Sequence, residues 1–262
     1  MQRYFVAAEQ FESSRVRLTG EDAFHAIRVM RMKEGDKFVV SDGESRLALA
    51  SVTEAAAGEV VASIVEELPM DSEPAWSVTV AQSLPKGDKM ELVIQKGTEI
   101  GAYSFAPFQS ERMIVQYDGK KEAKRLERWG KIAKEAAEQS HRCRVPVIEP
   151  VRSWRELIAS IALFDLTLFC YEREGDSAEG IGIRDAVQAW KSREDGRFEA
   201  GRAPKLLLVV GPEGGFTEKE ANEAEAAGAV IVGLGKRILR TETAGLVGLT
   251  CLLYEAGEMG GA

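Results

Sequence analysis

Cysteine and histidine are scarce in this chain, which limits the kinds of site that it can build. The 262 residues include three cysteines and two histidines. Cys143, Cys170 and Cys251 lie far apart with no C-x-x-C spacing, so we expect neither a disulfide framework nor a zinc site. The sequence predicts reduced, mostly buried thiols, no metal ion, and a fold that its apolar core stabilises.

Long apolar runs are also missing. The uninterrupted apolar runs that do occur, such as residues 206–210, are far shorter than the roughly 20 residues that a membrane-spanning helix needs. The first five residues, MQRYF, do not resemble the apolar region of a signal peptide. These absences favour a soluble, cytoplasmic protein that does not contact a membrane.

Positive charge is scarce overall, since the formal net charge is -8. A nucleic-acid partner requires local positive potential, so the distribution of charge matters more than the sum. Residues 120–155 contain eleven Lys and Arg against five Glu. This stretch is typical of a solvated helix face with pairs such as Glu127 and Lys131, and it points to RNA only in combination with other motifs.

The first 70 residues predict a compact, β-rich domain. Apolar and polar residues alternate in 38–41 and 59–65, and Asp42-Gly43 is a strong hairpin-turn signal. One helix is expected over residues 22–30. The proline-containing stretch 68–75 interrupts both periodicities, so we place a domain boundary there and predict a first domain over 1–70.

From residue 76 onward, predicted strands alternate with predicted helices. This alternation indicates an α/β domain over 76–262 whose mostly parallel sheet is covered on both faces. A helix over 122–140 places apolar residues, including Trp129 and Ala133, on one stripe and its Lys and Arg on the other. Residues 172–202 are polar and weakly patterned.

A glycine-rich loop follows a buried strand of this second domain. Strand 206–210 leads directly into GPEGG at 211–215, and Thr217 with Glu220 matches a capping box that opens a helix. Open α/β sheets bind ligands at the carboxyl ends of their strands. The spacing fits neither the dinucleotide fingerprint nor a P-loop. By itself the loop is equally consistent with a tight connecting turn.

A second loop of this kind follows the next strand, 229–232. It runs from residue 233 to 243 and precedes a helix rich in small residues that we predict over 244–255. RTET at 240–243 holds more polar groups than the single residue that a helix cap needs, which favours a site. Without a phosphate cradle or a metal cluster, the two loops suit an adenosine-type ligand better than a nucleoside triphosphate.

Several further motifs occur in order along the chain. They are MQRYF at 1–5, HAIRVMR at 25–31 with Gly35-Asp36, QSLPKGDK at 82–89, KGTEIG at 96–101, SER at 110–112, RWGKIAKEAAEQS at 128–140, RVP at 144–146, GPEGG at 211–215 and ILRTETA at 238–244. Each is weak alone, but the ordered set is specific. With it the chain resembles the RsmE family of 16S rRNA (uridine-N3) methyltransferases, in the SPOUT superfamily.

The resemblance implies an N-terminal PUA-like RNA-binding domain, a SPOUT methyltransferase domain with a trefoil knot, and a homodimer. It also implies methyl transfer from S-adenosylmethionine to N3 of a uridine in 16S rRNA of the small ribosomal subunit. The cofactor would be bound by the two loops, through Gly211, Pro212, Glu213, Gly214, Gly215, Leu234, Gly235, Ile238, Leu239 and Thr243.

Uracil N3 carries a proton, so transfer requires a base or a group that stabilises the anion, together with alignment of the reactants. With the resemblance, the catalytic candidates are Arg240, Glu242, Glu99, Arg112 and Glu172. Glu99 and Arg112 would alternatively form a surface ion pair. The candidate RNA contacts are Arg3, Arg28, Arg31, Lys86, Gln139, Arg142 and Arg144.

Three alternatives remain at this stage. The first is another SPOUT enzyme that acts on tRNA or on a ribose hydroxyl, and the N-terminal domain and the ordered motifs argue against it. The second is a non-catalytic RNA-binding factor with the same fold, and a measurement of cofactor binding would test it. Phosphoryl transfer is disfavoured because a P-loop and metal ligands are missing.

Overall fold

The computed structural model describes residues 1–56, 58–114, 119–171, 181–193 and 202–260. They form two compact units. The first comprises Met1–Glu73 and Lys134–Val145, and the second comprises Pro74–Ala133 and Pro146–Ala262. The domains predicted at 1–70 and 76–262 differ from these units in the segment Lys134–Val145, which packs with the first unit.

The first unit is built on a five-stranded sheet, as the alternating pattern predicts. Its strand order is β1-β3-β4-β5-β2, and β1 with β3 is the parallel pair. The elements are β1 (Arg3–Phe5), β2 (Arg15–Leu18), α1 (Gly20–Phe24), β3 (Lys37–Ser41), β4 (Leu47–Ala56) and β5 (Glu59–Glu67). The core lies on one face of the sheet around Tyr4, Phe38 and Leu18.

The predicted helix over 22–30 differs in the structure. α1 begins at Gly20, and after Phe24 the chain continues as a π-helical segment, His25–Val29. Met30 N donates to His25 O, five residues back, at 2.9 Å. The wider turn buries Ala26 while its neighbours on the outer side stay exposed.

Segment Lys134–Val145 is held to the first unit by polar contacts that sequence periodicity does not reveal. The Glu73 carboxylate pairs with the Arg142 guanidinium at 2.5 Å and accepts the Cys143 N–H at 2.9 Å. Ser41 Oγ donates to Cys143 O at 2.8 Å. Because these groups are buried or half-buried, the bonds fix the segment to β3 of the sheet.

The second unit is an α/β fold around a six-stranded sheet, which confirms the predicted fold class. The strand order is β11-β9-β10-β6-β7-β8, and every pair in it is parallel. Helix α3 (Gly119–Gln139) belongs to this unit up to Ala133 and to the first unit from Lys134. The other elements are β6 (Ser77–Ser83), α2 (Lys89–Ile100), β7 (Ser104–Phe108), β8 (Val147–Ile148), α4 (Trp154–Ser160), β9 (Leu166–Cys170), α5 (Ile183–Arg193), β10 (Lys205–Val210), α6 (Glu218–Ala226), β11 (Val230–Val232) and α7 (Thr241–Glu255).

The start of the last helix was predicted wrongly. α7 begins at Thr241 rather than at 244, because Arg240 is extended and its carbonyl accepts the Ala244 N–H at 2.8 Å. Thr243 therefore lies inside the first turn and is not the cap. Thr241 and Glu242 therefore form the first turn of α7, the helix that follows β11.

Glycines allow α7 to approach the sheet closely. A Cβ added at Gly248 would lie 2.8 Å from Leu208 Cδ2, and one at Gly245 would lie 3.2 Å from Gln82 Oε1. The helix thus packs directly on β10 and β6, the central strands. Over the described residues, no helix combines the length and apolarity required to cross a membrane.

Candidate functional site

The two predicted loops meet in the structure at the carboxyl ends of β10 and β6. Thr241 Oγ1 donates to Gly211 O at 2.5 Å, joining the start of α7 to the glycine loop. Gln82, at the end of β6, donates through Nε2 to Thr241 Oγ1 at 2.8 Å and to Gly211 O at 3.3 Å. Gln82 is fully buried, so this small network fixes the distance between the loops.

A lysine links the acidic side chains of the same two loops. Lys89 Nζ lies 2.8 Å from Glu213 Oε1 and 3.5 Å from Glu242 Oε2. Glu213 Oε1 also accepts the Lys86 N–H at 3.1 Å. The first turn of α2 is thereby tied to the glycine loop and to α7.

The charges of this cluster support one another. Partial burial acts to raise the pKa of Glu213, but the hydrogen bond from Lys89 and the backbone N–H of Lys86 outweigh it, so the pKa is lowered. The hydrogen bond to Glu213 raises the pKa of Lys89. Lys89 therefore stays cationic and Glu213 stays anionic near neutral pH.

The shape of the glycine loop depends on residues without a side chain. A Cβ at Gly211 would lie 3.0 Å from the Phe216 ring, and one at Gly214 would lie 3.2 Å from Arg112 O. Phe216 is buried and packs 4.2 Å, centroid to centroid, from Phe169. The anchored ring holds the loop against the core, and the capping box of α6, with Thr217 as its N-cap, follows as predicted.

Arg112 lies at this loop, as the sequence led us to expect. Its Nη1 donates to Gly214 O at 3.4 Å. The loop that contains it is fastened further by Ser110 Oγ, which is 2.7 Å from Ser83 Oγ, and by Glu111 N, which donates to buried Glu220 at 2.8 Å. Three loops, after β6, β7 and β10, thus converge.

The second loop exposes apolar side chains and backbone. Ile238 is 88% exposed, and Gly235 adopts a positive φ of 97°. Leu234 and Leu239 are half-buried, while Arg240 and Thr243 are exposed. Apolar side chains that face solvent beside polar backbone groups are typical of a surface that a partly flat ligand covers.

One catalytic candidate is not brought to this cluster. Glu99 is exposed on α2 and pairs with Lys96 at 2.7 Å, one turn away on the same helix. This local pairing argues against a catalytic role for Glu99. Glu172 lies outside the described residues.

The candidate RNA contacts separate into buried and exposed groups. Arg142 is 3% exposed and paired with Glu73, which argues against an RNA contact. Arg3 donates to His141 O at 2.7 Å and to Arg142 O at 2.6 Å, so it fastens the first unit internally. The exposed or half-exposed candidates are Arg28, Arg31, Lys86, Gln139 and Arg144.

Gln82 and Lys89 are site residues that the sequence did not identify individually, although both belong to the QSLPKGDK motif. The signal was the position of this motif at the end of a predicted strand of the same sheet, where ligands bind. Within the described residues no cluster of three or more His, Cys, Asp or Glu side chains is arranged to hold a metal ion.

Comparison with known proteins agrees with this geometry. A family model described as an RNA methyltransferase domain matches residues 71–253, and one described as an RNA methyltransferase PUA domain matches residues 18–65. The chain is 40% identical to ribosomal RNA small subunit methyltransferase E of Bacillus subtilis, with 97% of both chains covered.

Two solved structures have the same fold. Ribosomal RNA small subunit methyltransferase E from Neisseria gonorrhoeae, bound to S-adenosylmethionine, is 32% identical with a TM-score of 0.78 over 96% of each chain. A Legionella pneumophila methyltransferase, also in complex with S-adenosylmethionine, is 27% identical with a TM-score of 0.80 over 97% of each chain. The predicted resemblance is thereby confirmed, and the chain belongs to the ribosomal RNA small subunit methyltransferase E family.

Proposed function

We propose that this chain transfers the methyl group of S-adenosylmethionine to N3 of a uridine in 16S rRNA of the small ribosomal subunit, in the cytoplasm. The observation that carries the proposal is the junction of the two loops by Gln82, Thr241 and Gly211 at the carboxyl ends of parallel strands. Relatives with the same fold are named for rRNA methylation or have S-adenosylmethionine bound.

The residues of the two loops fit this cofactor. Glu213 and Glu242 supply negative charge for a cationic sulfonium, and exposed Ile238 supplies apolar surface for a flat base. Among the described residues, none donates a hydrogen bond to the buried Gln82 Oε1, whereas the amide nitrogen of Gln82 donates to Thr241 Oγ1 and Gly211 O. When bound, S-adenosylmethionine supplies a methyl group on a positively charged sulfur, the electrophile of the reaction.

The chain's own residues then bind, orient and deprotonate the uridine. In the reaction the N3–H bond is replaced by an N3–CH₃ bond, and the proton leaves to a base. The S–CH₃ bond of the sulfonium breaks, and its electron pair stays on the sulfur as a neutral thioether. We assign Glu242 as the acceptor of that proton, and Lys89 Nζ lies 3.5 Å from its carboxylate. Arg240, exposed at the N-cap of α7, donates to the uracil carbonyl oxygens and stabilises the developing anion.

RNA contacts outside the pocket follow from exposure and charge. Lys86, whose backbone N–H binds Glu213, places a cation beside the glycine loop. We keep Arg28, Arg31, Gln139 and Arg144 as further contacts, and they position the RNA more than they read its sequence. The homodimer and the trefoil knot remain part of the proposal.

The decisive experiment is methylation of small subunits that lack the modification, with nucleotide-resolution mapping of the product. N3-methylation blocks Watson–Crick pairing, so reverse transcription stops one nucleotide before the modified uridine. We expect one new stop with the wild-type chain, and a loss of rate on the order of 10²-fold or more for Glu242→Gln and Arg240→Ala. Failure of the wild-type chain to methylate any form of the RNA overturns the proposal.

Matched variants separate catalysis from folding. Glu218→Gln alters an exposed carboxylate in the first turn of α6, and Arg184→Ala removes an arginine whose side chain is 83% exposed. Both are expected to methylate at the wild-type rate. Calorimetric titration with S-adenosylmethionine tests the non-catalytic alternative, because an RNA-binding factor without enzyme activity has no need to bind this molecule.

A further inference from the structure

Exposed apolar and basic side chains lie together at one place on the first unit. Phe24 is 62% exposed, Val29 59% and Met30 44%. Three cations, Arg28, Arg31 and Lys33, are exposed within the same ten residues. We call this set of six residues the 24–33 surface.

The local backbone sorts this segment into an inner and an outer side. Ala23 and Ala26 are buried in the core, and Ile27 and Met32 pack against it. Every large apolar side chain of the 24–33 surface lies between these anchors in sequence and still remains exposed. The core therefore does not account for Phe24, Val29 and Met30.

The backbone of the segment is also irregular in two respects. His25–Val29 is π-helical, and Arg31 adopts a left-handed φ of 55° although it is not glycine. Such conformations are rare and energetically unfavourable, and they occur preferentially at functional sites. Here the left-handed Arg31 returns Met32 to the core, where Met32 N donates to Ala26 O at 3.0 Å.

The charge within this segment is of one sign, because no acidic residue occurs between positions 23 and 33. Of the acidic residues that flank it, Asp22 is engaged by Lys134 at 2.6 Å, Glu34 is exposed, and Asp36 Oδ2 accepts the Lys33 N–H at 2.8 Å. Protein interfaces deplete charge from their apolar centre, whereas cations interleaved with an aromatic ring are typical of surfaces that bind single-stranded RNA.

We propose that the 24–33 surface binds unpaired RNA, with Phe24 stacking on a base, Val29 and Met30 contacting its neighbours, and the three cations holding the phosphates. This inference rests on the proposed function for its RNA partner. It adds a base-stacking residue to a unit whose arginines alone would recognise only the backbone.

An RNA-binding assay tests the proposal directly. The full chain is titrated into a short fluorescein-labelled oligouridine and into a duplex RNA of equal length, with fluorescence anisotropy as the signal. We expect Phe24→Ala to weaken oligouridine binding about 5- to 150-fold, the range for loss of one stacked base. Phe24→Trp keeps wild-type affinity or exceeds it, whereas Phe24→Leu, apolar but not aromatic, behaves like Phe24→Ala.

A pair of exposed valines in the first unit provides a matched control. Val29→Ser is expected to weaken oligouridine binding, while Val65→Ser, at a site 51% exposed in β5, leaves it unchanged. Arg28→Gln is expected to lower the slope of log affinity against log salt by about one. Photo-crosslinking of a 4-thiouridine oligomer, followed by mass spectrometry, is expected to label residues 24–33.

Three results would overturn the inference: no binding of oligouridine by the wild-type chain, equal affinity of wild type and Phe24→Ala, or an altered oligomeric state of Phe24→Ala in sedimentation. The last result would assign the surface to a second copy of the chain.

Titration with S-adenosylmethionine keeps the two proposals apart. A Phe24→Ala chain that binds the cofactor and RNA normally defeats this inference alone, and a wild-type chain that binds RNA through the 24–33 surface but never methylates it defeats the proposed function alone.

Discussion

The hydroxyl of Thr241 donates to the carbonyl of Gly211 at 2.5 Å, although the two residues begin and end different loops. The same hydroxyl accepts a hydrogen bond from Gln82, so one buried oxygen joins a strand end, a glycine loop and a helix start. A cofactor that binds to the backbone of both loops requires a defined distance between them. The hydroxyl oxygen of Thr241 fixes that distance.

Thr241→Val removes the hydroxyl with little change in volume, and we expect it to weaken S-adenosylmethionine binding on the order of 10-fold, since two buried polar groups lose a partner. Isothermal calorimetry gives the affinity. Thr250→Val is the control, because Thr250 lies in the same helix and its hydroxyl donates to the Leu246 carbonyl within that helix. Equal losses in both variants would contradict the role of Thr241.

The ion-pair cluster around Lys89 predicts a pH effect. Lys89→Met removes the cation that lowers the pKa of Glu213, so that pKa rises toward the value that burial alone favours. If carboxylates of this cluster must be ionised for transfer, the acid limb of the single-turnover rate moves to higher pH. Lys96→Met, in the same helix and paired with Glu99, is expected to leave the profile unchanged. Superimposable pH profiles of wild type and Lys89→Met would rule out a role of the cluster in the reaction.

Local patterns predicted the elements well and their contacts poorly. The capping box at Thr217 predicted the start of α6, and both ligand loops were found, because capping residues, apolar periodicity and glycine are local signals. Gln82 and Lys89 were missed since their partners lie 159 and 124 residues away along the chain. Their proximity depends on the insertion of β10 beside β6, which no local pattern encodes.

The assignment of residues 134–145 illustrates the same limit. The apolar stripe of α3 predicts that one face is buried, but not which unit buries it. Buried Arg142 was predicted to contact RNA because its partner, Glu73, precedes it by 69 residues and no local pattern reveals the pair. A charge in a basic stretch is therefore available to RNA only where the fold leaves it exposed.

Two helical glycines give opposite expectations for the same substitution. Gly248→Ala places a Cβ 2.8 Å from Leu208 Cδ2, inside a fully buried contact between α7 and β10. We expect a loss of about 1–3 kcal/mol. Gly130→Ala in α3 meets no atom of the described residues within 4 Å, so only the helix propensity changes and stability rises by up to about 1 kcal/mol. Thermal unfolding measures both, and shifts of equal sign would contradict the packing of α7.

A buried carboxylate in the first unit makes its stability depend on pH. Burial raises the pKa of Glu138 to about 7, against the opposing effect of Lys134, while Asp22 and Glu135 raise it further. The folded chain therefore keeps a proton that the unfolded chain, with a pKa near 4.5, has already lost. Between these two values the free energy of unfolding falls as pH rises, by on the order of 2 kcal/mol in total.

Glu138→Gln removes this titration and can still accept the hydrogen bond from Phe5 N. The variant is therefore expected to gain stability over the wild type as the pH rises from 5 toward 7, and to keep a constant advantage above that pH. Calorimetric midpoints of thermal unfolding at several pH values measure the difference. Glu127→Gln, on an exposed face of the same helix, is the control and should follow the wild-type curve. A constant difference between Glu138→Gln and wild type across the whole range would show that Glu138 ionises normally in the folded chain.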